Sequence, residues 1–463
     1  MDIVGAIPFH PPVPPAPEVP LSTRGYLRAV RTNAIGIFSE VAYHEDCEQR
    51  RILGGTALVL NAPDAIHHVL VGNPGNFRRS PASIRIFRPV IGEGLLLSEG
   101  DAWKLQRRTI APALAPRVMP MLARHIVAST EREIARLNTQ TAQPVDLLAS
   151  MQNLALDIAG RSMFSLEMDR HGATMRALIT EYAERYSQPH LLDMILPPSI
   201  PNLRDFARSR FRRRWVKFIE TILEARLAEP PAGTPRDLLD LLRAARDPET
   251  GAAFSPPQLR DQVATMILAG HETTAVTLFW AIIMLAQVPE EQRWLAEEAG
   301  SVTIQPETAS TAMSSLVRTR AVVNETLRLF PSAFTLARQT IKRDSAAGID
   351  LPAGSIIMIA PWVLHRHHKL WDDPAAFRPA RFMPDQPAPP RFAFMPFGAG
   401  PRICVGAQFA MTEAVLVLAA LMGRFRVTRD DARPVLPVGI VTTQPDHAAK
   451  VRLSVRAAGS AGR

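Results

Sequence analysis

Cysteine is scarce in this chain of 463 residues, which contains two, Cys47 and Cys404. Two cysteines are too few for a disulfide framework and too few for a cysteine-rich zinc site. Such scarcity is typical of the reducing cytoplasm, which is the location that we expect. Cys47 lies in a polar stretch and is expected to be an exposed thiol. Cys404 is therefore the cysteine whose surroundings need a chemical explanation.

The sequence also lacks the usual signals for a membrane or for export. Its N-terminus has no basic region followed by a continuous apolar run, as a signal peptide would. Residues 1–22 instead form a proline-rich lead-in, which favours an extended backbone. The most apolar stretch, Val263–Val288, carries His271 and Glu272 near its middle. Ionisable groups are costly in lipid, so we predict a helix buried in protein and no membrane anchor.

No nucleic-acid signature is present. The net charge is +9, from 53 basic and 44 acidic residues. The basic residues are scattered apart from Arg208–Lys217, and neither a zinc finger nor an RNA-recognition motif occurs. A P-loop and a nucleophile elbow are also missing. We expect no nucleic-acid partner. A partner with an acidic face stays open beside the simpler interpretation of evenly spread surface charge.

Apolar residues recur every three to four positions through the middle of the chain, which predicts helices. After Arg338 prolines become frequent and short strand-like runs appear, and Pro374–Pro401 is expected to hold no long regular element. We predict a mainly α protein with small β-sheets, forming a single domain over residues 1–463. The predicted helices include Asp101–Leu114, Val118–Leu137, Leu147–Phe164, Ala207–Leu227, Pro257–Gln287, Thr311–Phe330 and Ala407–Arg424, and the predicted strands include Thr56–Pro63 with its turn, Ser355–Ala360 and Val451–Val455.

Cys404 lies in a glycine-rich loop that runs from Phe397 to Gly406. Glycines on both sides permit unusual dihedral angles and a close approach of the backbone to a flat ligand. A helix begins just after the cysteine, and its free N–H groups, together with Arg402, favour a thiolate. The loop alone is compatible with a metal ligand, a nucleophile or a small buried residue in a turn.

A second polar group interrupts the most apolar helix, where Glu272, Thr273 and Thr274 follow Gly270. Buried carboxylates need partners, and threonine hydroxyls can bond to backbone carbonyls and open the helix. A local bulge would form a groove for a small ligand and a water molecule. The alternative is a structural glutamate paired with an arginine elsewhere in the chain.

Three further clusters are weaker signals. Glu325 and Arg328 share one helix face, and the apolar surroundings make a buried network plausible although such pairs usually lie on surfaces. Trp103 and Arg107 are four residues apart and could hold a carboxylate, or the tryptophan could simply pack on an amphipathic helix. His365–His368 is expected to be a solvated turn, since no further metal-ligand pattern accompanies it.

These elements, in this order, resemble the cytochrome P-450 family. The complete cysteine loop is the most specific match, whereas each shorter motif is weak by itself. The matches are F-x-x-G-x-R-x-C-x-G at Phe397, Gly400, Arg402, Cys404 and Gly406; A-G-x-E-T-T at Ala269, Gly270, Glu272, Thr273 and Thr274; E-x-x-R at Glu325 and Arg328; W-x-x-x-R at Trp103 and Arg107; and F-x-P-x-R-F at Phe377, Pro379, Arg381 and Phe382.

The resemblance implies a haem b held between the long central helix and the cysteine loop. Cys404 would then be the axial ligand of the iron, whose thiolate favours cleavage of dioxygen. Glu272 and Thr273 would deliver protons. Residues implied to bind the cofactor are Trp103, Arg107, Arg338, Phe397, Arg402 and Gly406; Glu325, Arg328 and Arg381 would form a structural network; and Leu268, Ala269, Ala333 and Phe334 would line the substrate pocket.

The implied activity is insertion of one oxygen atom from O2 into a lipophilic small molecule. A fatty acid is our first expectation for that substrate, and a terpenoid or steroid is the second. Because 59 residues follow Cys404, we expect a separate ferredoxin and ferredoxin reductase to supply NAD(P)H electrons. A peroxide-driven peroxygenase or isomerase, and a non-catalytic gas sensor, are the alternatives. The acid–alcohol pair at Glu272 and Thr273 favours the monooxygenase.

Overall fold

The computed structural model describes residues 8–52, 54–165, 171–197, 199–228 and 233–456. Helices dominate these ranges. They are α1 Thr23–Thr32, α2 Pro63–His67, α3 Pro81–Ile91, α4 Gly100–Ile110, α5 Met119–Asn138, α6 Leu147–Phe164, α7 Gly172–Arg185, α8 Leu191–Ile195, α9 Leu203–Leu227, α10 Leu238–Ala244, α11 Pro256–Leu285, α12 Pro289–Gly300, α13 Ala309–Ser315, α14 Val317–Leu329, α15 Pro361–Leu364 and α16 Ala407–Arg424.

The strands form small sheets at the periphery of the helices. A five-stranded sheet has the order β1-β2-β8-β5-β3, in which only β2 and β8 run parallel, and a three-stranded sheet has the order β4-β12-β9. Two hairpins, β6–β7 and β10–β11, complete the set. The bounds are β1 Cys47–Ile52, β2 Gly55–Leu60, β3 Phe77–Arg79, β4 Val145–Asp146, β5 Leu336–Thr340, β6 Asp344–Ala346, β7 Ile349–Leu351, β8 Ile356–Ile359, β9 Phe425–Arg429, β10 Pro437–Gly439, β11 Thr443–Pro445 and β12 Lys450–Val455.

Helix α11 is the axis of the molecule. It begins at two prolines after the capping residue Ser255, whose backbone N–H donates to the Gln258 side chain at 2.9 Å. Its 30 residues span about 45 Å at the usual rise. Most of its residues are buried on every side, as expected of a helix that is apolar all round. It packs against α3, α6, α9, α14 and α16, so this helix organises the main core.

One predicted helix was wrong in its continuity. Instead of Thr311–Phe330, the structure has α13 and α14, separated at the buried Leu316. The Glu298 carboxylate of α12 accepts hydrogen bonds from the backbone N–H groups of Arg318 and Thr319, at 2.6 and 2.8 Å. A carboxylate at that position caps a new helix start. The break is therefore imposed by a residue of the preceding helix.

The expectation of a solvated turn at His365–His368 was wrong for its first three residues. His365, Arg366 and His367 are buried, and only His368 of the four is exposed. His365 Nε2 accepts the Met395 N–H at 2.9 Å, while Nδ1 lies 3.2 Å from the Arg328 carbonyl oxygen. The segment follows α15 and packs against Phe394 and Met395, just before the cysteine loop, where tertiary contacts satisfy its polar atoms.

His365 makes the fold sensitive to acid. Burial, together with the neighbouring Arg328, lowers its pKa from 6.5 to about 3. Between these two values His365 is protonated in the unfolded chain and neutral in the folded chain. We expect the free energy of unfolding to be constant above pH 7 and to fall below pH 6.5, by about 1.4 kcal/mol per pH unit from this group. Urea titrations between pH 5 and 8 measure this.

The matched comparison uses His365→Gln and, as a control, the half-exposed His10→Gln. His365→Gln should be less stable at pH 8 but should lose much of the dependence on pH, whereas His10→Gln should retain the slope of the original protein. A slope unchanged in His365→Gln would contradict this assignment.

Of the remaining predictions, that for Pro374–Pro401 is confirmed and that for Cys47 is wrong. Pro374–Pro401 holds short 3-10 turns, as predicted. Cys47, expected to be exposed, is half-buried in β1 and packs against a second core cluster, and burial raises the pKa of its thiol. Among the described residues, α11 and α16 are long and apolar enough to cross a membrane, but the relevant windows are 78% and 61% buried in the protein. Burial of this kind is typical of core helices.

Candidate active site

The cysteine loop is folded tightly by its own backbone. The Cys404 N–H donates to the Phe397 carbonyl at 2.9 Å, and the Ile403 N–H donates to the Gly400 carbonyl at 3.0 Å. Gly400 has a φ of +72°, and a Cβ added there would lie 2.1 Å from the carbonyl oxygen of Leu70. Only glycine combines that dihedral with that close approach. The motif thus fixes the position of Cys404 immediately before α16.

Cys404 is exposed on one face. Burial raises the pKa of the thiol, while the Gly406 N–H and the nearby Arg107 lower it. Arg107 also donates from Nη1 to the Ile403 carbonyl at 2.8 Å, so α4 braces the loop. We expected Arg402 to be the nearby cation. That expectation was wrong, because Arg402 points to Glu99 and the Ser98 carbonyl.

A short accessible face interrupts the burial of α11. Ala269 is exposed in the middle of the helix, and Gly270, Glu272 and Thr273 are partly exposed. The Thr273 hydroxyl donates to the Ala269 carbonyl at 2.7 Å. Its hydrogen is therefore committed to the helix, and its lone pairs are left for a donor in the cleft. The predicted bonding of threonine hydroxyls to backbone carbonyls is confirmed. The predicted local bulge was wrong, because α11 continues as a regular helix through this face.

Helix α16 connects this face with the cysteine loop. Helix α11 packs against α16, where Thr274, whose hydroxyl donates to the Gly270 carbonyl at 3.1 Å, lies beside Glu413. Glu413 lies six residues into α16. Six residues correspond to about 9 Å along a helix axis, and α16 begins three residues after Cys404. The polar face of α11 and the sulfur therefore belong to the same region of the molecule. Burial raises the pKa of Glu413 well above its ordinary value, so this carboxyl is held in its neutral form.

The partners of Glu272 are neutral. Its Oε1 accepts hydrogen bonds from Thr442 Oγ1 at 3.0 Å and from Gln444 Nε2 at 2.7 Å. In the described part of the chain no arginine pairs with it, so the alternative of a structural Glu–Arg pair is not what the fold contains. Burial lowers the pKa of the adjacent His271, which donates from Nδ1 to the Ile267 carbonyl as a neutral imidazole.

Three arginines converge beside the cysteine loop. Arg79 and Arg338 face each other as register partners on β3 and β5. Burial and repulsion from Arg338 and Arg402 lower the pKa of Arg79 to about 9, and burial with repulsion from Arg402 lowers that of Arg338 to about 10. Among the residues that the structure describes, Glu99 is the carboxylate that offsets them, through an ion pair with Arg402. The cluster carries an excess of two positive charges.

That excess matches the two propionates of a haem. Arg79 Nε is buried without a hydrogen-bond partner, as a group reserved for a ligand would be. Trp103 lies beneath Arg402, whose Cζ is 4.5 Å from the indole centroid. Sequence analysis missed Arg79, because no local motif marks it. Only the pairing of β3 with Arg338 on β5 places it in the cluster.

The E-x-x-R element is deeply buried. Arg328 donates from Nε and Nη2 to the two Glu325 carboxylate oxygens, both at 2.7 Å, and both side chains are fully buried. Arg328 also donates to the carbonyls of His365, Pro374 and Ala376 at 2.7–2.8 Å. Arg381 Nε lies 3.5 Å from Glu325. The network ties α14 to the segment that leads into the cysteine loop.

The residues predicted to line a substrate pocket separate into two groups. Ala269 and Ala333 are exposed, whereas Leu268 and Phe334 are buried. The Phe334 ring packs so closely on Gly439 that a Cβ there would lie 3.0 Å from it. Phe397 contributes its backbone carbonyl to the loop and packs partly buried against the main core.

Two bacterial relatives cover most of the chain. Cyclooctatin synthase of Streptomyces melanosporofaciens is 30% identical over 88% of both chains. Pentalenene oxygenase of Streptomyces avermitilis is 28% identical over 94% of this chain and 96% of its own length. Among solved structures, the cytochrome P450 CYP102L1 superposes with a TM-score of 0.81 over 96% of this chain and all of its own, at 22% identity, which shows a common fold.

The haem domain of the solved cytochrome P450DA has the same fold, with a TM-score of 0.80, coverage of 96% of this chain and 98% of its own, and 21% identity. The family model described as Cytochrome P450 matches residues 43–451, from before β1 into β12. The predicted fold class is confirmed. This chain therefore belongs to the cytochrome P450 family and is a P450 monooxygenase.

Proposed function

We propose that this chain is a cytoplasmic haem-thiolate hydroxylase of lipophilic small molecules, folded as one domain, in which Cys404 would ligate the iron of haem b. The observation that carries the proposal is the arginine cluster of Arg79, Arg338 and Arg402 beside the cysteine loop. Buried guanidinium groups in excess of their countercharge need an anionic ligand. A haem presents two carboxylates together with an iron that a cysteine can ligate.

The residues around the cysteine loop have different proposed roles. Haem, when bound, supplies the activation of dioxygen. Cys404 provides the thiolate, Gly406 donates its N–H to the sulfur, and Arg107 braces the loop from α4. Trp103 supports the Arg402 guanidinium. The network of Glu325, Arg328 and Arg381 holds the approach to the loop.

Glu272 and Thr273 are proposed to pass protons from the protein to dioxygen. Reduction of one oxygen atom to water consumes two protons, which a dry cleft does not supply by itself. Thr273 Oγ1 keeps its lone pairs free, because its hydrogen is bonded to the Ala269 carbonyl. Glu272 lies one residue away, is partly exposed, and has the acidic group that exchanges protons with water.

Removing one cation of the arginine cluster should weaken haem binding. We expect Arg79→Gln to lose about 1.5–3 kcal/mol of binding free energy, because a charge-assisted hydrogen bond to a buried carboxylate disappears. This corresponds to roughly 10- to 100-fold weaker retention. Transfer of haem to an excess of apomyoglobin measures it. Arg78→Gln is the control, since Arg78 is exposed and bonds to Gln339. Equal retention in both variants would exclude Arg79 from the site.

A cyclic terpenoid is now the substrate class that we favour, ahead of a fatty acid. Three bacterial relatives are named for such compounds: cyclooctatin synthase, pentalenene oxygenase and cyclooctat-9-en-7-ol 5-monooxygenase. The accessible positions Ala269 and Ala333 are small and apolar. A fatty acid would also bring its carboxylate into a cleft that already contains Glu272, where like charges repel.

Absorption titration of the holoenzyme tests the substrate class. Pentalenene, lauric acid and progesterone are each added, and a substrate that displaces water from the iron shifts the Soret band. A saturable shift with pentalenene alone supports a terpenoid, and a shift with lauric acid alone reverses the order. Purified, folded protein that binds no haem would overturn the proposed function.

We further propose that O2 is reduced with electrons from a separate ferredoxin and its NAD(P)H-dependent reductase.

A further inference from the structure

The carboxylate of Glu272 is held at one oxygen only. Oε1 accepts from Thr442 and Gln444, and Gln444 Nε2 also lies 2.8 Å from Thr442 Oγ1, so the three side chains form a closed triangle. From the residues that the structure describes, Oε2 accepts no hydrogen bond, and it is not a buried unsatisfied atom. One oxygen is therefore fixed while the other stays accessible.

The turn that carries the two donors is itself anchored. Between them in sequence, Thr443 donates from Oγ1 to the Pro331 carbonyl at 2.6 Å, and its own carbonyl accepts from Trp280 Nε1 at 2.8 Å. Trp280 is fully buried in α11. The hairpin β10–β11 is thus fastened to the same helix that carries Glu272, which sets the distance between donors and carboxylate.

Within the described ranges of the chain, no cation faces Glu272. His271 on α11 is neutral, because burial lowers its pKa. Tyr182 on α7 is buried near the carboxylate and uses its hydroxyl to bond to the Ile86 carbonyl at 3.1 Å. From the hairpin, the facing groups are the neutral Thr442 and Gln444. The carboxylate is therefore held in place by neutral hydrogen-bond donors.

We propose that Thr442 and Gln444 are positioning residues for proton delivery, which fix Oε1 of Glu272 and direct Oε2 into the cleft. The pair orients the acid through neutral hydrogen bonds alone. This inference rests on the proposed function of Glu272 as a proton carrier. It adds two residues from a hairpin 170 positions away in sequence, which the acid–alcohol motif does not include.

The test compares variants of the holoenzyme driven by NADPH, ferredoxin and its reductase. The readout is hydrogen peroxide released per NADPH oxidised, measured with pentalenene and also without substrate, since peroxide release is measurable in both. Failed proton delivery releases oxygen as peroxide. We expect Gln444→Leu and Thr442→Val to raise that ratio severalfold. Thr443→Val removes the bond to the Pro331 carbonyl but keeps the backbone carbonyl that accepts from Trp280 and fastens the hairpin to α11, so it should leave the ratio unchanged.

Two further comparisons separate positioning from a general structural effect. Gln444→Leu should add nothing to the peroxide ratio in a Glu272→Gln background, because both changes remove the same proton path. Gln444→Glu replaces the donor by a second carboxylate that repels Glu272, so it should raise the peroxide ratio at least as much as Gln444→Leu.

The outcomes distinguish failure of the proposed role of Glu272 from failure of the positioning role of Thr442 and Gln444. If Glu272→Gln leaves the peroxide ratio unchanged, the proposed role of Glu272 fails. If Glu272→Gln raises the ratio while Gln444→Leu and Thr442→Val do not, Glu272 keeps its role and the positioning inference is wrong. Equal increases in Thr443→Val and Gln444→Leu would likewise overturn positioning, because they would show a general effect of the hairpin.

Discussion

Cys404→Ser should fold and should lose both the absorption spectrum of a thiolate-ligated haem and the monooxygenase activity. Serine keeps the backbone geometry of the loop, where the residue 404 N–H donates to Phe397 and Arg107 braces Ile403. An alcohol does not provide the electron density with which a thiolate favours O–O cleavage. We expect turnover with pentalenene or any other binding substrate to fall at least 100-fold, about 2.7 kcal/mol in the barrier.

The other cysteine supplies the matched control. Cys47 lies in β1, in a different core cluster from that of α11 and α16. Cys47→Ser should therefore retain the thiolate spectrum of the reduced carbon monoxide complex and the activity. Circular dichroism checks that both variants are folded. A Cys404→Ser protein that keeps the thiolate spectrum would disprove the assignment of the ligand.

Glu325→Gln should destabilise the fold by about 3–5 kcal/mol, the usual cost of breaking a buried ion pair from one side. The substitution preserves shape but leaves Arg328 fully buried without its countercharge, with Arg381 as a second cation nearby. The carbonyls of His365, Pro374 and Ala376 stabilise Arg328 only partly, since they carry no net charge. Urea denaturation at pH 7.5 gives the free energy of unfolding.

An exposed pair of the same spacing provides the control. Glu290 and Arg293 are also an i,i+3 pair, at 2.9 Å, but both side chains are more than half exposed. Glu290→Gln should change the free energy of unfolding by less than about 1 kcal/mol. If the two substitutions had similar effects, burial would not be what gives the E-x-x-R network its importance. Haem loss from Glu325→Gln should also be faster, because this network supports the cysteine loop.

Local sequence patterns predicted elements well where one helix face is continuously apolar. The bounds of α6 and α16 match the structure, and α11 differs at its ends by only one or two residues. The prediction failed where a distant residue intervened. Glu298 divides the predicted helix Thr311–Phe330 by capping a second helix start. The residues around Leu316 contain no sequence signal for that contact.

The burial of polar segments was the other source of error. His365 and its neighbours appear solvated because no apolar periodicity accompanies them, yet the Met395 N–H and the Arg328 carbonyl satisfy the imidazole inside the protein. Cys47 appeared exposed for the same reason, although β1 pairs with β2 along six residues. Hydrogen bonds to residues far away in sequence compensate for desolvation and leave no periodic trace.

The sequence by itself determined the family and the chemistry of the cysteine loop. The glycines and the helix start of the short segment from Phe397 to Gly406 determine its turns through interactions between neighbouring residues. Only the tertiary structure decided which charges meet. Arg79 reaches Arg338 through strand pairing, and Glu272 meets Gln444 across the β10–β11 hairpin. Those encounters depend on burial and long-range packing, which fix distances that residue spacing along the chain does not encode.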